Sequence, residues 1–183
     1  IRNYLQISNK LLVFNNLKND NKIGYFKTEL IKAISPNYFN DKERTSALIS
    51  LCSLLNSLLP ESQPYKNIYK SFEKFISTLN LDNWIKEYIY WELELLKLLG
   101  YDLELRKIVN KEIIDNKINY FVKSSSEKKK VPNFLIEKDN EEIDIKNLLK
   151  GLKLVSDYLE KSILKPNNIN YPSSRLHFVN SLK

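Results

Sequence analysis

Glu92 is the most unusual charge in the sequence. It stands four residues after Tyr88 and four before Leu96, along an otherwise apolar helical stripe. A buried carboxylate is costly unless it is paired and hydrogen-bonded, so an arginine or a backbone N–H is expected beside it. The chemistry open to such a group is general acid or base catalysis with a raised pKa. No second catalytic group can be placed next to it, so a structural, paired glutamate is the favoured reading. Cys52 sits on the apolar stripe of another helix, where a small buried hydrophobe needs no further role. The one histidine, His177, lies beside Phe178 close to the C-terminus. A Ser-His-Asp or Cys-His system would have to use it, and a metal cluster built on it is implausible.

Lysines form the other chemically suggestive groups. Lys146, Lys150 and Lys153 share the face opposite the apolar stripe of a long helix. Lys161 extends that side, while Asp157 and Glu160 dilute it. Lys123, Lys128, Lys129 and Lys130 form a denser patch around Ser124-Ser125-Ser126, which reads as an exposed turn. Solvated faces are the ordinary explanation of both. The functional one is contact with phosphates along a nucleic-acid backbone, where lysines act as point charges. The 11 Tyr and 8 Phe offer stacking platforms for single-stranded bases. Most lie at core spacing, and Tyr4, Tyr25 and Phe26 are the better candidates for exposure.

Positioning these residues falls mainly to helices. Tyr4 to Phe14 and Ile23 to Leu30 read as two strands of a hairpin, with Asn15-Asn16 and Asn19-Asp20-Asn21 as turn material. From Asp41, a plausible N-cap, Ala47, Leu48, Leu51, Cys52, Leu54, Leu55 and Leu58 recur at helical spacing until Pro60. Ile68, Tyr69, Phe72, Phe75, Ile76 and Leu79 mark a second helix. A third, Trp84 to Leu99, is capped by Asp82 or Asn83 and stopped by Gly100. It is apolar around much of its circumference, the mark of a central helix packed on several sides. Between Asp102 and Glu141, Ile113-Ile114, Ile118 to Val122 and Phe134 to Ile136 suit short strands or packed loops. A last long helix runs from about Glu142 to Leu164, followed by Pro166. Ser173 or Ser174 caps a short terminal one.

Composition narrows the function. The 183 residues suffice for one domain or two small ones, and the 43% hydrophobic and 28% charged content is that of a globular chain. Three Gly nearly exclude a glycine-rich phosphate loop, and one Cys with one His excludes a disulfide framework or a Cys/His zinc site. No run approaches the ~18 apolar residues of a membrane span, and no signal peptide is visible. The net charge of +7 suits a polyanionic partner. Twenty-five of the 29 basic residues are Lys, in a chain also rich in Asn and Ile; that bias suits an AT-rich genome and weakens any argument from lysine number. The absence of Met, with Ile1 at the start and an orphan hairpin, suggests a fragment. The residues alone therefore describe a basic, mostly helical binding module without a catalytic constellation.

Several stretches, in order, resemble the DNA repair protein RecO family. Trp91-Glu92-Leu93-Glu94-Leu95-Leu96-Lys97-Leu98-Leu99-Gly100-Tyr101 is similar to the family's Phe-Glu-Leu-x-Leu-Leu-x-x-Leu-Gly-Tyr helix end, with Trp for Phe. Leu58 to Tyr65 resembles its Leu-Pro-Glu-x-x-Pro turn, and Gly24 to Leu30 the segment leaving its barrel. Gly151-Leu152, Tyr158-Leu159-Glu160 and Leu164-Lys165-Pro166 resemble its final long helix, and Pro172 to Arg175 its closing Pro–Arg stretch. The resemblance implies a mostly α (α+β overall) chain: residues 1–33 as the last strands of an OB-fold barrel, and 34–183 as a helical domain. It implies no enzyme activity and no cofactor. The role it implies is that of a bacterial, cytoplasmic, nucleoid-associated mediator of the RecFOR pathway. Such a protein binds single- and double-stranded DNA, anneals strands, joins RecR and assists RecA loading on DNA coated with single-stranded DNA-binding protein. The acidic, apolar C-terminal tail of that last protein would dock on the helical domain. Two departures stand out. The zinc-binding cysteines of many members are missing between Tyr101 and Pro132, so packed side chains must hold that region. An arginine that would meet the tail is replaced by Ile89 or Tyr90, leaving Lys86 as the nearest substitute. The rival readings are a generic basic helical module for RNA or DNA and, more remotely, a hydrolase using Glu92.

Overall fold

In a computed structural model, residues 3–16, 24–114, 116–123, 128–137 and 143–183 are described. Strands β1 (Lys10–Asn16) and β2 (Tyr25–Lys32) lead through a 3-10 turn to helix α1 (Lys42–Leu58). Helices α2 (Lys66–Thr78), α3 (Trp84–Leu98) and the short α4 (Leu105–Ile108) follow. Next come β3 (Val109–Ile114), β4 (Lys117–Lys123), β5 (Lys128–Val131) and the single turn α5 (Phe134–Glu137). The chain closes with α6 (Ile145–Leu159), a π turn (Glu160–Leu164) and α7 (Ser173–Ser181). An α+β chain results, as the sequence implies.

The contacts gather into two units. The first holds residues 1–59 with 172–181 and 183. Its strands pair antiparallel, from Leu11 opposite Leu30 to Asn16 opposite Tyr25. The strand therefore starts six residues later than Tyr4, and Asn15 and Asn16 belong to the ladder rather than the turn. Asn9 explains the late start: its Oδ1 accepts from the N–H groups of Ile34 (2.8 Å) and Ser35 (3.3 Å), so the preceding residues form turns instead. Helix α1 begins where Asp41 Oδ1 accepts from the Arg44 N–H at 2.9 Å, the expected N-cap. It buries Ala47, Leu48, Leu51 and Leu54 and packs against α7, whose Arg175 and Phe178 are fully buried. Ser173 and Ser174 both lie within α7, and Ser174 Oγ is buried with no hydrogen-bond partner among the described residues, so it is no cap.

The second unit holds residues 60–171 with 182. Helix α3 buries Trp84, Tyr88, Ile89, Trp91, Leu95 and Leu96, and α2 and α6 both pack on it. That is the central helix its all-round apolarity predicts. Phe75 of α2 meets Tyr88 edge-on at 5.6 Å and Trp91 at 5.9 Å. Asn83 occupies the N-cap position of α3 without a side-chain cap bond, whereas Gly100 ends the helix at φ +87°, a conformation open to glycine. Helix α6 starts at Ile145, capped by Asp144 Oδ1 on the Asn147 N–H at 2.9 Å; Glu142 lies outside the described residues. Gly151 lets α6 approach closely, since a Cβ there would stand 2.7 Å from Phe134 Cζ.

The region between Asp102 and Glu137 is a three-stranded antiparallel sheet in the order β3-β4-β5, flanked by α4 and α5. Phe134 to Ile136 is thus helical rather than a strand, because Pro132 and Asn133 carbonyls accept from residues 135–137. Hydrogen bonds fasten this part. Tyr90 Oη donates to Phe134 O (2.8 Å), Asn133 Nδ2 to Ile118 O (2.7 Å), and Arg106 Nη2 to Ile136 O (3.0 Å).

Candidate nucleic-acid interface

Lys128, Lys129 and Lys130 do not sit on a turn. They form β5, pairing with Lys123, Val122 and Phe121 of β4. Ser124 to Glu127 lie outside the described residues, and Lys123 is described only as a strand residue. The cause is Val131, 1% exposed, which anchors the end of the lysine run in the core and draws its neighbours into the ladder. Alternation along the strands then puts Val122, Lys129 and Val131 on one face and Phe121, Lys128 and Lys130 on the other. Lys128 is held locally: it forms an ion pair with Glu112 and lies 4.1 Å over the Phe121 ring.

In the second unit a crevice of about 480 Å³ brings the two predicted lysine groups together. Lys129 of β5, on the face of Val122 and Val131, forms one side, and Lys150 and Lys153 of α6 the other; Lys130, which alternates to the opposite face of the strand, borders the crevice as well. Lys161, in the π turn that continues α6, extends that side as its spacing in the sequence implies. All five are exposed. Among the described residues Lys130, Lys150, Lys153 and Lys161 belong to no ion pair. The floor is apolar, built from Leu105, Ile108, Val122, Val131 and Leu154, with Tyr158 in the wall and Asp157 as the acidic member. Neither the floor nor Tyr158 was identifiable from sequence, since the register of Val122 opposite Lys129 assembles it. Lys146, also exposed on α6, is not part of this lining. Chemically the crevice offers cations for phosphates around an apolar surface that a base or another flat apolar group could cover.

The remaining candidates fall elsewhere. Lys86 is buried in α3 at 5% exposure and is not without a partner. Ile89 is fully buried, and Tyr90 borders a second crevice of about 530 Å³ between α2 and α3. That crevice presents Lys70 and Lys74 opposite Glu87 and Glu94. Trp91, in its wall, keeps its indole N–H without an acceptor among the described residues. Glu92 is 2% exposed and is not without a partner. Cys52 lies 3.4 Å from Ser8 Oγ, and burial pushes its thiol pKa up against the smaller opposing effect of the Ser8 hydrogen bonds. His177 is exposed. Tyr25 and Phe26 are exposed as expected, whereas Tyr4 is half-buried and donates to Thr28 O at 2.6 Å. Among the described residues, no three His, Cys, Asp or Glu cluster as metal ligands would.

Comparison with known proteins shows the family. The family model described as recombination protein O C terminal matches residues 40–168, which include both walls of the lysine crevice. The chain belongs to the RecO family. The resemblance at the Leu-Gly-Tyr segment is therefore not a chance one. The DNA repair protein RecO of Wolbachia sp. subsp. Drosophila simulans (strain wRi) is 36% identical over 104 residues, 56% of this chain and 43% of that protein. RecO of Anaplasma marginale (strain Florida) is 30% identical over 95 residues, covering 51% and 40%. RecO of Rhodospirillum centenum is 24% identical over 172 residues, covering 86% of this chain and 68% of that protein. The chain thus matches less than half the length of the first two RecO relatives. No solved structure matches it significantly. Among the described residues, no helix of this RecO-family chain is long and apolar enough to cross a membrane.

Proposed function

We propose that this chain works in recombinational DNA repair as a DNA-binding mediator and not as an enzyme. It anneals single strands and assists RecA loading on DNA coated with single-stranded DNA-binding protein, in the bacterial cytoplasm at the nucleoid. The observation that carries this reading is the convergence of β5 and α6 lysines on one crevice. Annealing requires neutralised backbones rather than a nucleophile or a metal. In this reading β1 and β2 belong to an OB-fold barrel, which their exposed Val13, Phe26 and Leu30, on one face of the pair, support as a face to be covered. RecR and the acidic tail of single-stranded DNA-binding protein are the proposed protein partners. For the tail, exposed Lys70 and Lys74 replace buried Lys86 as the charges to test.

Salt dependence tests the DNA contact. Each phosphate neutralised on a single strand contributes about −0.7 to the slope of log K against log salt, so Lys130, Lys150, Lys153 and Lys161 together give about −2.8. Replacing Lys150 and Lys153 by Ala should bring the slope to about −1.4 in a fluorescence-anisotropy titration. An unchanged slope would show that DNA does not meet this crevice.

A further inference from the structure

We infer that the lysine-rimmed crevice captures an unstacked base of single-stranded DNA, with the lysines on the flanking phosphates. The inference rests on the DNA-binding reading and adds how the crevice holds a single strand. A charged rim alone would serve a duplex equally well, since both strands present phosphates. The apolar floor of Leu105, Ile108, Val122, Val131 and Leu154 would not. In a duplex the base faces are hidden in the stack, and only base edges reach the grooves. A single strand can turn a base outward, where its flat face covers apolar or aromatic surface. At about 480 Å³ the crevice is within the range of small-ligand sites and has room for one nucleotide. Tyr158, the aromatic among the described lining residues, stands in the wall where a base would lie. From Lys150 to Lys161 the rim runs about 15 Å along the helix. That length matches several successive phosphates, spaced about 3.4 Å per charge even in a fully stacked strand.

An acidic, apolar peptide has related chemistry. The usual way for a peptide to join a sheet is as an added strand, and β5 resists that: it is four residues long and three of them are lysines. Nucleic acid needs no strand edge and answers the charge as well as the floor.

The test uses the full chain and short oligonucleotides of one length: oligothymidylate, the same backbone with abasic sites, and a duplex. Stacking of one base predicts that oligothymidylate binds at least about 5-fold tighter than the abasic strand. Tyr158→Ala should remove that difference and leave abasic binding unchanged. Leu154→Trp, which fills the crevice instead of emptying it, should do the same, so an unstable first variant does not decide the matter. Equal binding of thymidylate and abasic strands by the wild-type chain would overturn base capture while leaving backbone binding intact. Tighter binding of duplex would overturn it too. An unaltered salt slope on replacing Lys150 and Lys153 would instead sink the DNA reading beneath it. Displacement of thymidylate by a glutamate-rich apolar peptide at lower concentration than competing thymidylate would reassign the crevice to protein.

Discussion

Replacing Gly151 by Ala should destabilise the second unit although it improves the helix. Gly151 lies inside α6, where Ala is favoured over Gly by about 0.8–1.0 kcal/mol. The new Cβ, however, would stand 2.7 Å from Phe134 Cζ and 3.4 Å from Ile89 Cδ1. Ile89 is fully buried and Phe134 is 5% exposed, with its ring 6.1 Å from that of Tyr90 and its carbonyl accepting from Tyr90 Oη. The ring therefore has little room to withdraw. Overpacking of this kind costs about 1–3 kcal/mol, so the net change is a loss of up to about 2 kcal/mol. Urea unfolding followed by tryptophan fluorescence reports on the correct unit, because Trp84 and Trp91 both lie on α3, against which α6 packs. A double-mutant cycle isolates the clash. Leu has no atom corresponding to Cζ, so in a Phe134→Leu background the same Gly151→Ala change should stabilise by up to about 1 kcal/mol. Stabilisation of equal size in both backgrounds would mean that α6 and Phe134 are not in close contact, and the packing account would fail.

Two other measurements follow from local chemistry. Burial works to raise the Asp41 pKa, but the Arg44 N–H, the Arg44 guanidinium at 2.6 Å and the Glu43 N–H outweigh it and hold the carboxyl below its ordinary value. Stability from this cap is therefore fully present above about pH 4 and is lost as pH falls through the lowered pKa. Asp41→Ala should cost about 0.5–2 kcal/mol at neutral pH and flatten that acid limb, whereas an acid limb of unchanged size would assign it to other carboxylates. The raised Cys52 pKa means little thiolate at neutral pH. Labelling by a disulfide reagent should be slow there and accelerate only above the usual thiol range; rapid labelling at pH 7 would contradict the burial.

Helix positions were legible in the sequence because their signals are local. Asp41 before Lys42, Pro60 after Leu58 and Gly100 after Leu99 each act on adjacent backbone, and the apolar stripes of α1 and α6 follow helical periodicity. The lysine run of β5 reads as a turn in the sequence because its strand character comes from a partner, β4, and from burial of Val131. The same reason hid the crevice: lysines of two separate segments were each identified, but their convergence depends on the sheet register and on how α6 packs. Lys86 shows the converse failure. A charge on a helix that is apolar on most sides invites a surface reading, yet α3 is enclosed widely enough to take that lysine inside.

The first unit takes its helices from opposite ends of the described chain, with residues 60–171 intervening between α1 and α7. During synthesis, α1 therefore leaves the ribosome long before the helix that covers it. At about 5–20 residues per second, Ala47, Leu48 and Leu51 wait on the order of 10 s for Phe178 to be made. Throughout that interval the α1 stripe is open to chaperones, while residues 60–171 of the second unit are being made. Closing α7 onto α1 is then the last step, joining the ends of a long loop whose entropy cost grows only slowly with its length.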